Sequence, residues 1–145
     1  MTIHDSDIAA PMAADRILRA AWFPHLARLA LVAPFLLSGF LKLFDFPGAV
    51  AEVRGLTGLE PAALFAALVI ATQLGGSAAV LFGGRWAWLG AGLLAGFTVL
   101  ATLLAHAWWT RTGVDRARDL NIFWEHAAIC GGLLLAAWAS RLDDC

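Results

Sequence analysis

Apolar residues along this chain of 145 residues fall into four long stretches, roughly Leu26 to Phe46, Pro61 to Gly83, Trp86 to Trp109 and Asn121 to Ser140. A bilayer core of about 30 Å needs about 20 helical residues at a rise of about 1.5 Å, and each stretch has about that length. Four such spans with short connections predict an all-α fold, a transmembrane four-helix bundle running up-down-up-down. On this reading residues 1–25 form a mobile N-terminal tail with a short interfacial helix. Residues 26–145 form a single four-span membrane domain.

The connections carry their own patterns. Between Asp15 and Trp22, the residues Ile17, Leu18, Ala21 and Trp22 share a helical face with Arg16 and Arg19 beside it. That suits an interfacial helix, or a plain amphipathic lead-in to the first span. Pro34 lies inside span one, where a bilayer tolerates it if neighbouring groups satisfy the freed carbonyl. Pro47 marks the end of that span. Val50, Val53 and Leu56 recur at three-residue intervals and predict a short surface helix, broken by Gly55 and Gly58. Pro61 suits the first helical position of span two.

Gly83-Gly84-Arg85 predicts a tight turn that makes spans two and three an antiparallel hairpin. Gly92 and Gly96 in span three, and the run Gly75 to Ala79 in span two, are expected to face other helices, because small residues let backbones approach. The segment Thr110 to Leu120, with Arg111, Asp115, Arg116, Arg118 and Asp119, reads as a charged loop.

Composition agrees with a membrane protein. The chain is 61% hydrophobic and 14% charged, against about 45–50% and about 25% in soluble domains. Its mean hydropathy is +0.75. The net charge of −1 offers nucleic acid no electrostatic attraction, so the bilayer is the expected partner. Cys130 and Cys145 would lie about 22 Å apart along one helix, too far for a disulfide. The acidic first residues predict no cleavable signal peptide, so span one is expected to be an uncleaved anchor. Trp86, Trp88, Trp108, Trp109, Trp124 and Trp138 stand at span ends, as in an interfacial aromatic belt; stacking on a substrate is the sharper alternative.

The candidate chemistry is a set of polar residues at one end. Lys42, His106, Glu125 and His126 lie inside the spans, where an ionisable group is costly. Threading the helices up and down brings Lys42, His106 and Glu125 to one side, each roughly 6 Å inside its helix end. Asn121 shares a face with Glu125, while His126 is turned about 100° away. Asp45 belongs to the same end, and Gln73 stands about 18 Å into span two. Together Lys42, Asp45, Gln73, His106, Asn121, Glu125 and His126 form a candidate polar pocket.

Lys42 and Glu125 could pair there, with a histidine exchanging a proton with a quinone-like ligand or another small substrate. A snorkelling lysine, or an ion pair that only fixes helix register, would give the same pattern. Gln73 could equally bond to a neighbouring helix. Two histidines without a firm third ligand predict no metal site, and they disfavour axial ligation of a haem. No residue is singled out as catalytic, and the pattern does not decide whether the chain is an enzyme.

From about Arg28 to Ala137 the chain resembles the DoxX family of small bacterial membrane proteins. The resemblance is carried by Arg28, Ser38-Gly39, Lys42, Gly58-Leu59-Glu60-Pro61 and Gly83-x-Arg85. It continues through Ala105-His106 and Asn121-Ile122-Phe123-Trp124-Glu125-His126 into Gly131-Gly132. It implies a four-helix protein of the bacterial inner membrane associated with redox systems, since relatives include a subunit of a thiosulfate–quinone oxidoreductase and proteins serving methylamine oxidation. The family pattern carries a glutamate where Gln73 stands and a lysine where Glu125 stands, so chemistry resting on those two groups does not transfer.

The preferred function is an accessory or quinone-proximal subunit of a membrane oxidoreductase system. That reading admits quinone as a ligand and an oxidoreductase subunit as a partner, and the sequence itself names no cofactor. The alternatives are a structural or assembly protein without a ligand, and a small transporter component. The last shows neither an inverted repeat nor a broken mid-membrane helix, and would need a homo-oligomer to create a path.

Charge sets the expected orientation. Arg16, Arg19, Arg28, Arg85 and Arg141 fall on one side, and Arg54, Arg111, Arg116 and Arg118 on the other, with Lys42 near them. The three arginines at or near the start of span one favour both termini in the cytoplasm. Reporter fusions at Cys145 and near Asp115 should therefore give cytoplasmic and non-cytoplasmic signals respectively; a cytoplasmic signal at Asp115 inverts the arrangement.

Overall fold

A computed structural model describes residues 14–142, and no strand occurs among them. The helices are α1 (Trp22–Phe44), α2 (Phe46–Thr57), α3 (Ala62–Phe82), α4 (Ala87–Ala105) and α5 (Gly113–Leu142). Single 3-10 turns occupy Gly84–Trp86 and Trp108–Thr110. Four helices are long and apolar enough to cross a membrane, and α2 is the short extra one. Residues 14–18 are helical, within the expected interfacial segment, but α1 already begins at Trp22. Residues 1–13 of the expected tail, and Cys145, lie outside the described residues.

The short connections are built from caps. Asp45 closes α1 and opens α2, its Oδ1 accepting the Gly48 N–H at 3.0 Å. Such a cap satisfies one of the orphan donors of the first turn. Gly55 does not break α2; the helix runs through it and stops at Gly58, whose φ of 66° is the left-handed conformation that glycine adopts without strain. Glu60 then takes the Arg54 guanidinium at 2.6 Å with Oε1 and the Ala62 N–H at 2.8 Å with Oε2. The Arg54 hydrogen bond, and after it the Ala62 N–H, hold its carboxyl below the usual carboxylate range. Helix α3 starts at Ala62, with Pro61 just before it rather than inside.

The bundle packs along stripes of small and apolar residues at three- and four-residue spacing. Val32 and Phe35 of α1, Val80 of α3, Ala91 and Leu94 of α4, and Leu133 of α5 make one central core. A second cluster joins Ala49 and Val53 of α2 to Ala62 and Ala66 of α3. Register fixes the direction of three helices. Gly76 meets Leu94 and Gly90 meets Ala79, so α3 and α4 are antiparallel. Cys130 lies 3.8 Å from the Ala95 carbonyl and His126 lies 2.7 Å from Thr102, so α4 and α5 are antiparallel too.

Two sequence expectations change here. Gly92 and Gly96 face outward with no neighbouring atom where a Cβ would stand. The close approach is made instead by Gly76 and Gly90: a Cβ on Gly90 would come within 2.6 Å of the Gly76 carbonyl oxygen. The four-residue spacing of Gly92 and Gly96 therefore makes no helix contact, because the phase of α4 turns the face of Gly90 and Leu94 toward α3. The charged segment is also not a loop, because α5 begins at Gly113 and takes in most of it. Asp115 sits in the first turn, where a carboxylate favours the helix N-terminus, and pairs with Arg118 at 3.4 Å.

A Gly90→Val variant should therefore force α3 and α4 apart, at a cost of about 1–3 kcal/mol or more. Gly96→Leu, on the outer face, should accumulate and melt like the parent protein. Thermal melting in mild detergent checks both, and equal melting points for the two variants would contradict the seam.

Candidate functional site

The polar residues divide into two groups near one end of the bundle. Helix α2 packs on the start of α3 and also touches α1 and α4. Because α4 runs antiparallel to α3, its last turn lies at that end as well. In the first group, the Lys42 ammonium meets Glu52 Oε2 of α2 at 2.8 Å. The Lys42 side chain is 18% exposed and that of Glu52 49%. The expected Lys42–Glu125 pair does not form among the described residues. Helix α2 folds back on the end of α1 and supplies a carboxylate only ten residues further along the chain, whereas Glu125 faces outward on α5.

The second group straddles α4 and α5. Helix α4 ends at Ala105, and His106 is its C-cap residue, its N–H bonded to the Thr102 carbonyl. His106 thus stands at the helix end rather than a turn inside it. Its Nδ1 lies 3.3 Å from Oδ1 of Asp119, which is only 2% exposed. Arg111 and Arg118 each approach that carboxylate at 3.6 Å. A buried carboxylate needs such cations to remain ionised. Arg116 adds a guanidinium 5.5 Å from the centre of the Trp108 ring, whose Nε1 is buried without a partner.

His126 enters from α5, one turn further from the corner. Its ring centroid is 5.6 Å from that of His106, edge to face. Its Nδ1 lies 2.7 Å from Thr102 Oγ1. Thr102 Oγ1 in turn lies 2.6 Å from the Thr98 carbonyl, and Thr98 Oγ1 lies 2.8 Å from that of Leu94. The result is a row of polar groups from the arginines through Asp119 and His106 to His126 and two threonines in the bundle interior, in which the two imidazoles meet edge to face rather than through a hydrogen bond. It can pass or hold a proton at imidazole nitrogens, and it can hydrogen-bond a polar ring substituent.

The remaining candidates have separate places. Asp45 is engaged as the cap of α2. Gln73 is buried between α1 and α3, with Nε2 donating to Ser38 Oγ at 3.1 Å and Oε1 unpartnered. Asn121 and Glu125 are exposed on α5. His106 and His126 therefore come together, whereas Lys42 and Asp45 serve the α1–α2 corner.

Sequence reasoning missed Asp119, Thr102 and Glu52. A signal existed for the first: Asp119, His126, Leu133 and Ser140 repeat every seven residues, and all but His126 are buried. Extending the α5 pattern back through the charged segment would have placed Asp119 on the inner face.

A family model described as DoxX matches residues 23–107. The chain is also 28% identical over 112 residues to the inner membrane protein YphA of Escherichia coli (strain K12). That similarity covers 77% of this chain and 79% of that protein. No solved structure matches. The matched family region holds Lys42, Gln73, Thr102 and His106, and it stops before Asp119 and His126.

The two candidate ion pairs are separable by double-mutant cycles on melting in detergent. Lys42→Met and Glu52→Gln should couple by about 1 kcal/mol, the upper range for a partly exposed pair. Lys42→Met and Glu125→Gln should simply add. Coupling in the second cycle rather than the first would reverse the assignment.

Proposed function

The chain belongs to the DoxX family, and from that premise we propose that it serves as an accessory, quinone-proximal subunit of a membrane oxidoreductase system. Its four spans make it a multi-pass integral membrane protein, and its similarity to an inner membrane protein favours the bacterial inner membrane. The observation that carries the proposal is the pair of imidazoles 5.6 Å apart, backed by a buried carboxylate and a buried hydroxyl. Ionisable side chains at membrane depth are costly, and their usual justification is a ligand or proton path.

In this role the electrons of quinone reduction or quinol oxidation belong to the partner oxidoreductase. This chain holds the headgroup and exchanges its protons at imidazole nitrogen. His106 and His126 are the exchanging groups; Asp119 and Thr102 orient them. Gln73, with an unpartnered oxygen deep between α1 and α3, marks a second polar position along the bundle. The cap role of Asp45 and the Lys42–Glu52 pair keep the α1–α2 corner in place and take no part in the exchange.

The structural alternative, a protein that only holds a complex together, has one observation in its favour: Asp119 is already neutralised by Arg111 and Arg118 without any ligand. The two readings part on variants that fold. His106→Ala and His126→Ala remove no fixed charge, so both should melt close to the parent while failing to complement a deletion strain. Mass spectrometry of the parent purified in mild detergent should find a co-purifying quinone, in its oxidised or hydroquinone form, that these variants lose. Full complementation by the folded double variant leaves the structural reading standing.

A further inference from the structure

Hydrogen bonding around the two histidines fixes which nitrogen of each carries the proton. The Asp119 carboxylate, held in ion pairs with two guanidinium groups, accepts, so the His106 Nδ1 facing it is the N–H. Thr102 leads to the same result by a different route. A hydroxyl has one proton, and the Thr98 carbonyl at 2.6 Å can only accept it. The remaining lone pairs of Thr102 Oγ1 face the His126 Nδ1 at 2.7 Å, so that nitrogen must donate as well. In the neutral form of each ring the lone pair is then at Nε2. Among the described residues neither Nε2 has a hydrogen-bond partner, and neither is sealed in the interior.

We infer that the resting site is an acceptor pair, and that it selects a lipid-soluble ring bearing hydroxyl groups, the hydroquinone form, over the carbonyl-bearing quinone. The inference rests on the reading of this cluster as a ligand site and specifies its substrate class. Two Nε2 lone pairs accept from two hydroxyl groups, or both from a single one that moves between them. A quinone carbonyl, itself only an acceptor, meets lone pair against lone pair at both positions. Trp108 Nε1, the orphan buried donor of this corner among the described residues, does not reverse the preference, because a hydroxyl oxygen can accept from it as readily as a carbonyl can. Thr102 is a positioning residue: it does not touch the ligand, and it acts by holding the His126 tautomer.

The test uses the whole protein, labelled with 15N-histidine, in lipid nanodiscs under anaerobic conditions. Its spectra should show protonated Nδ1 and unprotonated Nε2 at both His106 and His126. A short-chain benzohydroquinone should bind roughly tenfold or more tightly than its benzoquinone, the scale of one or two added hydrogen bonds. Thr102→Val, close in shape, should erase most of that preference and release the His126 tautomer, while Thr102→Ser should keep both.

An Nε2–H tautomer at either histidine of the parent, or equal or tighter binding of the benzoquinone, overturns the inference and leaves the ligand site intact. Failure of both probes to bind or to move the histidine signals overturns the ligand site, and the inference with it. Should Thr102→Val not fold, the parent spectra, the two affinities and the Thr102→Ser variant still decide the question.

Discussion

Burying a carboxylate among apolar helices is unfavourable unless donors and cations surround it. Asp119 meets that condition with His106, Arg111 and Arg118, and these contacts shape the corner between α4 and α5. The chain leaves α4 at His106, turns once at Trp108–Thr110, and re-enters as α5 at Gly113. Pinning Asp119 at the inner face sets the rotation of α5. Seven-residue spacing then delivers His126, Leu133 and Ser140 to the same face, and Glu125 to the other. The rotation that buries Leu133 in the apolar core is thus the one that brings His126 to Thr102.

On the other side of α4, the constraint is backbone proximity. Gly76 and Gly90 bring α3 and α4 close enough that Leu94 can enter the central core fully. Helix association in a bilayer depends on such packing, because lipid is as apolar as the side chains it would release. The polar side chains of α3 and α4 accordingly stay close to home. Ser77, Thr98 and Thr102 each hydrogen-bond a carbonyl one turn back on their own helix. Gln73 reaches across to α1, and it leaves its oxygen unused.

Most of the architecture was legible in the sequence, because length, hydropathy and glycine-rich turns act locally. The four spans, the turn after Gly83 and the short helix between spans one and two follow from such signals. The family resemblance rested on residues spread across the same region. The site was legible only in part. His106 and His126 were placed on neighbouring helices by topology, and the structure puts their rings in contact.

The partners of that site were not legible, since each depends on helix phase. The charges from Asp115 to Asp119 look like a loop to a composition argument, yet they form the start of α5 and turn one carboxylate inward. Lys42 found Glu52 because α2 folds back on α1, a tertiary contact that spacing alone does not reveal. Gly92 and Gly96 carry a packing spacing, but the phase of α4 turns them outward.

Helix α5 has 30 residues, and at a rise of about 1.5 Å it is about 45 Å long, against a hydrocarbon thickness of about 30 Å. Such a helix must either tilt or stand proud of the bilayer. Its charged beginning supplies the portion that stands proud. Asp119 then belongs to the headgroup layer, and His126, seven residues on, lies about 10 Å deeper. The row of polar groups consequently crosses the boundary between two solvents: its arginines, more than half exposed, meet water beside the buried carboxylate, while its half-buried imidazoles lie toward the acyl-chain depth.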